Sequence, residues 1–178
     1  MLTLYTIGHS THPIDAFLAM LDSFGIQRLV DIRTVPGSRR NPQYGRQALA
    51  ETLDEHGIEY LHMKSLGGLR KPTVDSINLG WRTLSFRNYA DYMQTPDFEK
   101  GLHELMHLAG EKPTAIMCAE AVPWRCHRSL VSDALTVRGV QVLHIMGVGK
   151  ANPHALTVFA HAEGTNITYP VDPAQPAG

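Results

Sequence analysis

The amino-acid sequence predicts an α/β fold: a three-layer sandwich whose mainly parallel five-stranded sheet carries helices on both faces, with long basic loops at the carboxyl ends of the strands. Three observations predict it. Short apolar runs alternate with amphipathic helical patterns, the rhythm of a parallel sheet with crossover helices. The runs are nearly continuously apolar, as strands covered on both faces must be. A glycine stands near the end of each helical pattern, where a residue in the left-handed conformation stops a helix.

"LTLYTIG" at the start is the first strand. Ile14, Phe17, Leu18 and Leu21 then share one helical face, Gly25 stops that helix, and "RLVDIR" follows as the second strand. Ala48, Leu49 and Leu53 form a second apolar face, stopped by Gly57 and followed by "IEYLHM". Thr95-Pro96-Asp97 is a helix start, a capping hydroxyl with proline in the first turn. Phe98, Leu102, Leu105 and Met106 make its stripe, Gly110 is expected to end it, and "TAIMC" follows. After Arg128, the residues Leu130, Val131, Ala134 and Leu135 make the last stripe, ended by Gly139 and followed by "VQVLHIM".

Two stretches break this rhythm: "TVPGSRRNPQYGRQ" (34–47) and "KSLGGLRKPTVDSINLGWRT" (64–83). Both are long, basic and rich in glycine and proline, and loops of that length in a compact domain are often functional. Residues 1–164 are expected to form a single α/β domain, because 178 residues suffice for one full core and are too few for two ordinary ones. The tail, 165–178, is expected to be loosely held.

Sixteen Lys and Arg against 17 Asp and Glu leave a formal net charge of −1. Nothing global therefore draws the chain to nucleic acid or membrane, and any basic site must be local. No run approaches the roughly 18 apolar residues of a membrane span. The start lacks the regions of a signal peptide. Two cysteines beside a histidine do not resemble a secreted disulfide framework, so the expected setting is a reducing cytoplasm.

Ligands of open parallel sheets bind beyond the carboxyl ends of the strands. Those ends carry His9 and Ser10, Asp31 and Arg33, His62, and Cys118 and Glu120. His144, set among Val, Leu, Ile and Met, reads as a core histidine with its polar atoms satisfied. Both cysteines fall in "CAEAVPWRCHRSL" (118–130). Cys118 closes a buried strand, where a cysteine is commonly a small hydrophobe. Cys126 opens a helix beside His127 and Arg128, and backbone donors, helix dipole and cations there favour a thiolate. The pair admits three chemistries: a nucleophile with its activators, a redox couple, or half of a metal site completed by His127 and one of His9 or His62. The run from Cys118 to Arg125 is longer than a phosphatase loop and lacks its glycines, and no standard metal or redox spacing is present. Arg33, Arg39, Arg40 and Arg46, with Arg70 after two glycines and Arg128 at a helix start, favour an anionic ligand. Tyr44, Trp81 and Trp124 either stack a base or pack; packing is the simpler expectation for each.

Taken together, "TIGHS", "DIR", the Pro-x-Ser-Arg-Arg-Asn-Pro run at 36–42, "LGG", "YADYM" and "CAE" followed by "CHR" resemble a bacterial and archaeal family described as domain of unknown function 488. The likeness spans about Thr3 to His144, with Asn88 standing where such sequences often have glycine. It implies an α/β fold and treats His9, Ser10, Asp31, Arg33, Arg39, Arg40, Cys118, Glu120, Cys126, His127 and Arg128 as one constellation. It implies no reaction.

The leading expectation is a small cytoplasmic enzyme for an anionic substrate, a phosphate ester being one candidate. Ser10, Arg33, Arg39, Arg40, Arg70 and Arg128 would hold the charge. Cys118 or Cys126 would be nucleophile or redox centre, His9 or His127 would move protons, and Asp31 or Glu120 would orient a partner. The alternatives are a nucleic-acid-binding module, suggested by basic loops with interspersed aromatics, and a metal-binding protein using Cys118, Cys126 and His127. No cofactor is firmly implied, and the oligomeric state is open.

Overall fold

The computed structural model describes residues 1–171. Five parallel strands, β1 (Thr3–Gly8), β2 (Arg28–Asp31), β3 (Glu59–His62), β4 (Thr114–Cys118) and β5 (Gln141–Gly147), form a sheet extended by the antiparallel β6 (Lys150–Pro153). The order is β3-β2-β4-β1-β5-β6. The helices are α1 (Ile14–Ser23), α2 (Arg46–Glu55), α3 (Leu84–Tyr92), α4 (Pro96–Glu111) and α5 (Arg128–Thr136). The mixed, mostly parallel sheet with five helices around it is the expected α/β sandwich, with one strand more than predicted.

Alternation along the strands divides the core into two layers. Ile7, Leu29, Ala115 and Met117 pack with Phe17 and Leu21 of α1 and Leu49 and Leu53 of α2. Leu4, Val30, Ile116, Cys118 and Val142 pack with Tyr89 of α3, Phe98 and Leu102 of α4, and Leu130 of α5. So α1, after β1, and α5, after β4, cover opposite faces although β1 and β4 are neighbours. Adjacent strands whose following helices diverge leave a crevice at their carboxyl ends.

The helix punctuation is as read, with one exception. Gly25, Gly57 and Gly139 have φ of 64°, 79° and 81°. Thr95 caps α4 by accepting from the Phe98 N–H. Gly110, expected to end that helix, lies inside it; the helix runs on to Glu111 and stops before Pro113, whose ring cannot continue it.

The loop at 64–83 leads into α3, a helix the sequence pattern did not reveal. The hairpin of β7 (His161–Glu163) and β8 (Asn166–Thr168) falls partly in the tail expected to be loosely held. As far as Tyr169 that expectation is corrected: the tyrosine is fully buried, its hydroxyl donates to Asp133 and its N–H to the Asn78 side chain. Residues 172–178 lie outside the described residues. No helix among the described residues is long and apolar enough to cross a membrane.

Candidate functional site

The crevice between β1 and β4 is built by close approach. His9 N–H donates to the Cys118 carbonyl and Ser10 N–H to that of Ala119, extending the pairing past both strands. Gly8 makes this possible: a Cβ there would lie 1.7 Å from the Glu120 carbonyl oxygen. Ser10 sits at φ 46°, and that left-handed turn brings its carbonyl onto His9 Nδ1 at 2.9 Å.

Arg128, expected to present its charge to a ligand at the helix start, is instead fully buried against the sheet. Its Nη1 donates to Thr6 Oγ1 at 2.9 Å, and its Nη2 to the carbonyls of Glu120 and Ala121 at 3.1 and 3.4 Å. The Nε–H has no protein oxygen or nitrogen to donate to. No carboxylate pairs with this guanidinium among the described residues. A buried cation without a counter-charge is costly, so the group it faces matters. The nearby ionisable group on which its charge acts is the Cys118 thiol, whose sulfur lies 3.7 Å from the Glu120 carbonyl oxygen that Arg128 Nη2 also reaches.

The two thiols are pushed in opposite directions. Burial alone would raise Cys118; the hydrogen bond from Cys126, the Arg128 charge and the backbone at Glu120 outweigh it and bring the group to about 7. Burial raises Cys126 well above the usual thiol range, and the Cys118 charge raises it further. This reverses the expectation from the helix start. Although Arg128 N–H does reach the Cys126 sulfur at 3.5 Å, burial and the neighbouring Cys118 outweigh that donor.

His127 serves Cys126 more directly than Cys118. Its Nε2 lies 3.1 Å from the Ile32 carbonyl, which can only accept, so Nε2 carries the proton and the Nδ1 lone pair faces the Cys126 thiol at 3.4 Å. Burial, then the Arg128 and Arg70 charges, outweigh its backbone hydrogen bonds and lower the ring to about 4, so it is neutral at pH 7. Gly68 leaves room for it, since a Cβ there would meet Nδ1 at 2.6 Å.

Asp31, on the opposite face of β2, orients Arg33. Its two oxygens accept from the Arg33 backbone N–H at 3.1 Å, Nε at 2.9 Å and Nη2 at 2.7 Å, and Tyr60 OH adds a fourth donor at 2.5 Å. Arg33 Nη1 then reaches His9 Nε2 at 3.4 Å. Burial, aided by Arg33, lowers the His9 ring, and Tyr44 stacks on it with centroids 4.3 Å apart.

Cys118, Cys126, His127, Arg33, Glu120 and Arg125 open onto one cavity of about 440 Å³, whose apolar wall includes Val35, Leu69 and Phe86. Arg125 was not among the residues singled out from the sequence. Glu120 contributes its backbone to the site, and its side chain is exposed. Arg39 and Arg40 are exposed on their loop, outside the lining of this cavity. Arg70 is turned away from the anion-binding role expected of it: it donates to the carbonyls of Lys64, Ser65 and Gly67 and lies 3.5 Å over the Tyr92 ring.

The metal reading does not assemble in this geometry. Among the described residues, no three His, Cys, Asp or Glu side chains could hold a metal ion together. His62, an expected fourth ligand, bonds the Arg33 carbonyl through Nε2 at 2.7 Å. The aromatics expected to stack or pack divide similarly. Tyr44 and Trp81 are buried, and Trp124 is 66% exposed.

A polar chain invisible in the sequence leads away from Arg128. The Asp133 carboxylate accepts from Thr157 N–H and Oγ1 and from Tyr169 OH, so His154 Nε2, 2.7 Å away, must donate to it. His154 Nδ1 then accepts from His144 Nε2 at 2.8 Å, and His144 Nδ1 accepts from Thr6 Oγ1 at 2.5 Å. The Thr6 oxygen is left to accept from Arg128. His144 is thus the satisfied core histidine expected, held neutral by burial, with the ring lowered to about 3.

A family profile described as domain of unknown function DUF488 matches residues 13–135. The chain belongs to that family. The part matching DUF488 includes both cysteines, Asp31, Arg33 and Arg128, and begins after His9 and Ser10. No curated protein and no solved structure matches the chain.

Proposed function

We propose that this DUF488 chain is a cytoplasmic thiol enzyme in which the Cys118 thiolate attacks a small electrophile that is, or becomes, anionic. One observation carries the reading: the fully buried Arg128 has no carboxylate partner among the described residues, and its charge helps to lower the Cys118 thiol. The charge that a carboxylate would otherwise supply comes from the thiolate, and the thiolate, not the thiol, is the nucleophile. Arg33, oriented by Asp31, and Arg125 line the same cavity and supply positive charge for an anionic group. His9, neutral and in contact with Arg33, is the proton-transfer group on the β1 side. Two free thiols support a reducing compartment.

The test is iodoacetamide alkylation across pH with peptide mapping. The reading expects Cys118 to be modified with a midpoint near 7, while Cys126 resists until the chain unfolds. Preferential modification of Cys126, or two thiols inert across neutral pH, would sink it.

A further inference from the structure

The proposed nucleophile accounts for Cys118 and Arg128 and leaves Cys126 and His127 without a task. Cys126 is no isolated buried thiol. It packs in the same core cluster as Cys118, it opens on the same cavity, and the Nδ1 lone pair of a neutral imidazole faces it at 3.4 Å. An ionised Cys118 needs no base of its own, and the imidazole stands instead at the second thiol. The guanidinium beside Cys118 also keeps one buried donor, the Arg128 Nε–H, with no protein oxygen or nitrogen to receive it.

We infer that Cys118 and Cys126 form a dithiol couple that reduces a small hydroperoxide, with Cys126 as the resolving thiol and His127 as its base. The inference rests on the reading of Cys118 as an ionised nucleophile and narrows its substrate class. In the first step the Cys118 sulfur attacks the terminal oxygen of R–O–O–H. An S–O bond forms, the O–O bond breaks, and RO⁻ leaves and takes a proton from water to become ROH. Sulfur is oxidised by two electrons and the peroxide is reduced by two. Arg33 and Arg125 line the same cavity and supply positive charge for that oxyanion. In the second step His127 Nδ1 takes the Cys126 proton and the Cys126 sulfur attacks the Cys118 sulfenic acid. The S–O bond breaks, and hydroxide leaves with that proton as water. The sum is two thiols and one hydroperoxide giving one disulfide, ROH and water. Val35, Leu69 and Phe86 leave an apolar wall for an organic R group.

The experiment treats the reduced full-length chain with one equivalent of hydrogen peroxide at neutral pH. The reaction is quenched by alkylation, and the peptides are mapped. The wild type should lose both thiols together into a Cys118–Cys126 disulfide, at least about tenfold faster than free cysteine at the same pH. Cys126→Ser should instead accumulate a dimedone-trapped sulfenic acid at Cys118, and Cys118→Ser should do neither. A wild type that keeps both thiols, or a Cys118→Ser chain whose Cys126 oxidises at the wild-type rate, overturns the inference. If no disulfide forms while Cys118 still alkylates at neutral pH, the redox couple falls and the thiolate reading stands. If Cys118 neither alkylates nor oxidises, both fall.

Discussion

Replacing Arg128 by methionine tests the proposed Arg128–Cys118 coupling at its source. The substitution keeps a long side chain in a fully buried position and removes the cation. Burial, the Cys126 contact and the Glu120 backbone are unchanged, so the Cys118 pKa should rise from about 7 toward the ordinary 9.0, and a full return sets the upper scale of the effect. At pH 7 the thiolate fraction then falls from about one half to about 1%, roughly a 50-fold loss. A more basic thiolate is the better nucleophile, and a Brønsted slope of about 0.4–0.5 returns roughly six- to tenfold over two units. The net expectation at pH 7 is alkylation of Cys118 slower than in the wild type by up to about five- to eightfold. At pH 10 the order reverses, and the two rate profiles cross at about pH 8. A general loosening of the fold would raise the reactivity of both cysteines at every pH, so the crossing is the signature. Iodoacetamide rates at Cys118 from pH 6 to 10, resolved by peptide mapping, provide the assay. If Arg128→Met keeps its midpoint near 7, the guanidinium is not what ionises the thiol and the reasoning fails.

The same shift appears in stability. A thiol whose folded pKa lies below its unfolded value adds stability that is complete above the unfolded value and is lost as pH falls through the folded one. Urea unfolding of the wild type should strengthen by up to about 2 kcal/mol between pH 7 and 9, and that slope should vanish in Cys118→Ser. Above pH 9 the trend reverses, because Cys126 ionises in the unfolded chain before it can in the fold. Gly8→Ala should destabilise by about 3 kcal/mol or more, since the new Cβ meets backbone atoms that cannot step aside. Gly68→Ala should cost less, about 1–3 kcal/mol, and should expose Cys126 to alkylation by displacing the His127 ring. Asp31→Asn leaves Arg33 buried without its counter-charge and should cost about 3–5 kcal/mol in urea unfolding.

Much of the fold was legible because its signals are local. Gly25, Gly57 and Gly139 stop helices through their own backbone conformation, and Thr95 with Pro96 starts one through its own side chain and ring. The α3 helix escaped because Phe86, Tyr89 and Ala90 follow directly on a Gly- and Pro-rich loop and carry too short a stripe to stand out. The β7–β8 hairpin escaped because strands of three residues leave almost no period to read.

The site was legible as a set of residues and less so as a set of roles. That Cys118, Cys126, His127 and Arg33 share one cavity follows from strand ends meeting in a parallel sheet. Which cysteine ionises depends on where Arg128 points, and helix-start rules predict a charge facing outward. Buried against Thr6, its charge acts together with Cys126 to lower Cys118, while Cys126 is raised by its own burial and by its neighbour. Arg70 looked like an anion ligand beside two glycines, and only the path of the loop shows its guanidinium closing on that loop's own carbonyls. The Thr6–His144–His154–Asp133 chain joins four distant segments, and no spacing rule reaches that far.

The most direct test of the account is the ultraviolet thiolate absorbance of the folded, reduced chain titrated from pH 5 to 10, with Cys118→Ser and Cys126→Ser alongside. The account predicts one thiolate appearing with a midpoint near 7, lost in Cys118→Ser and retained in Cys126→Ser. No ionisation below pH 9, or a neutral midpoint that disappears with Cys126 instead, would contradict it.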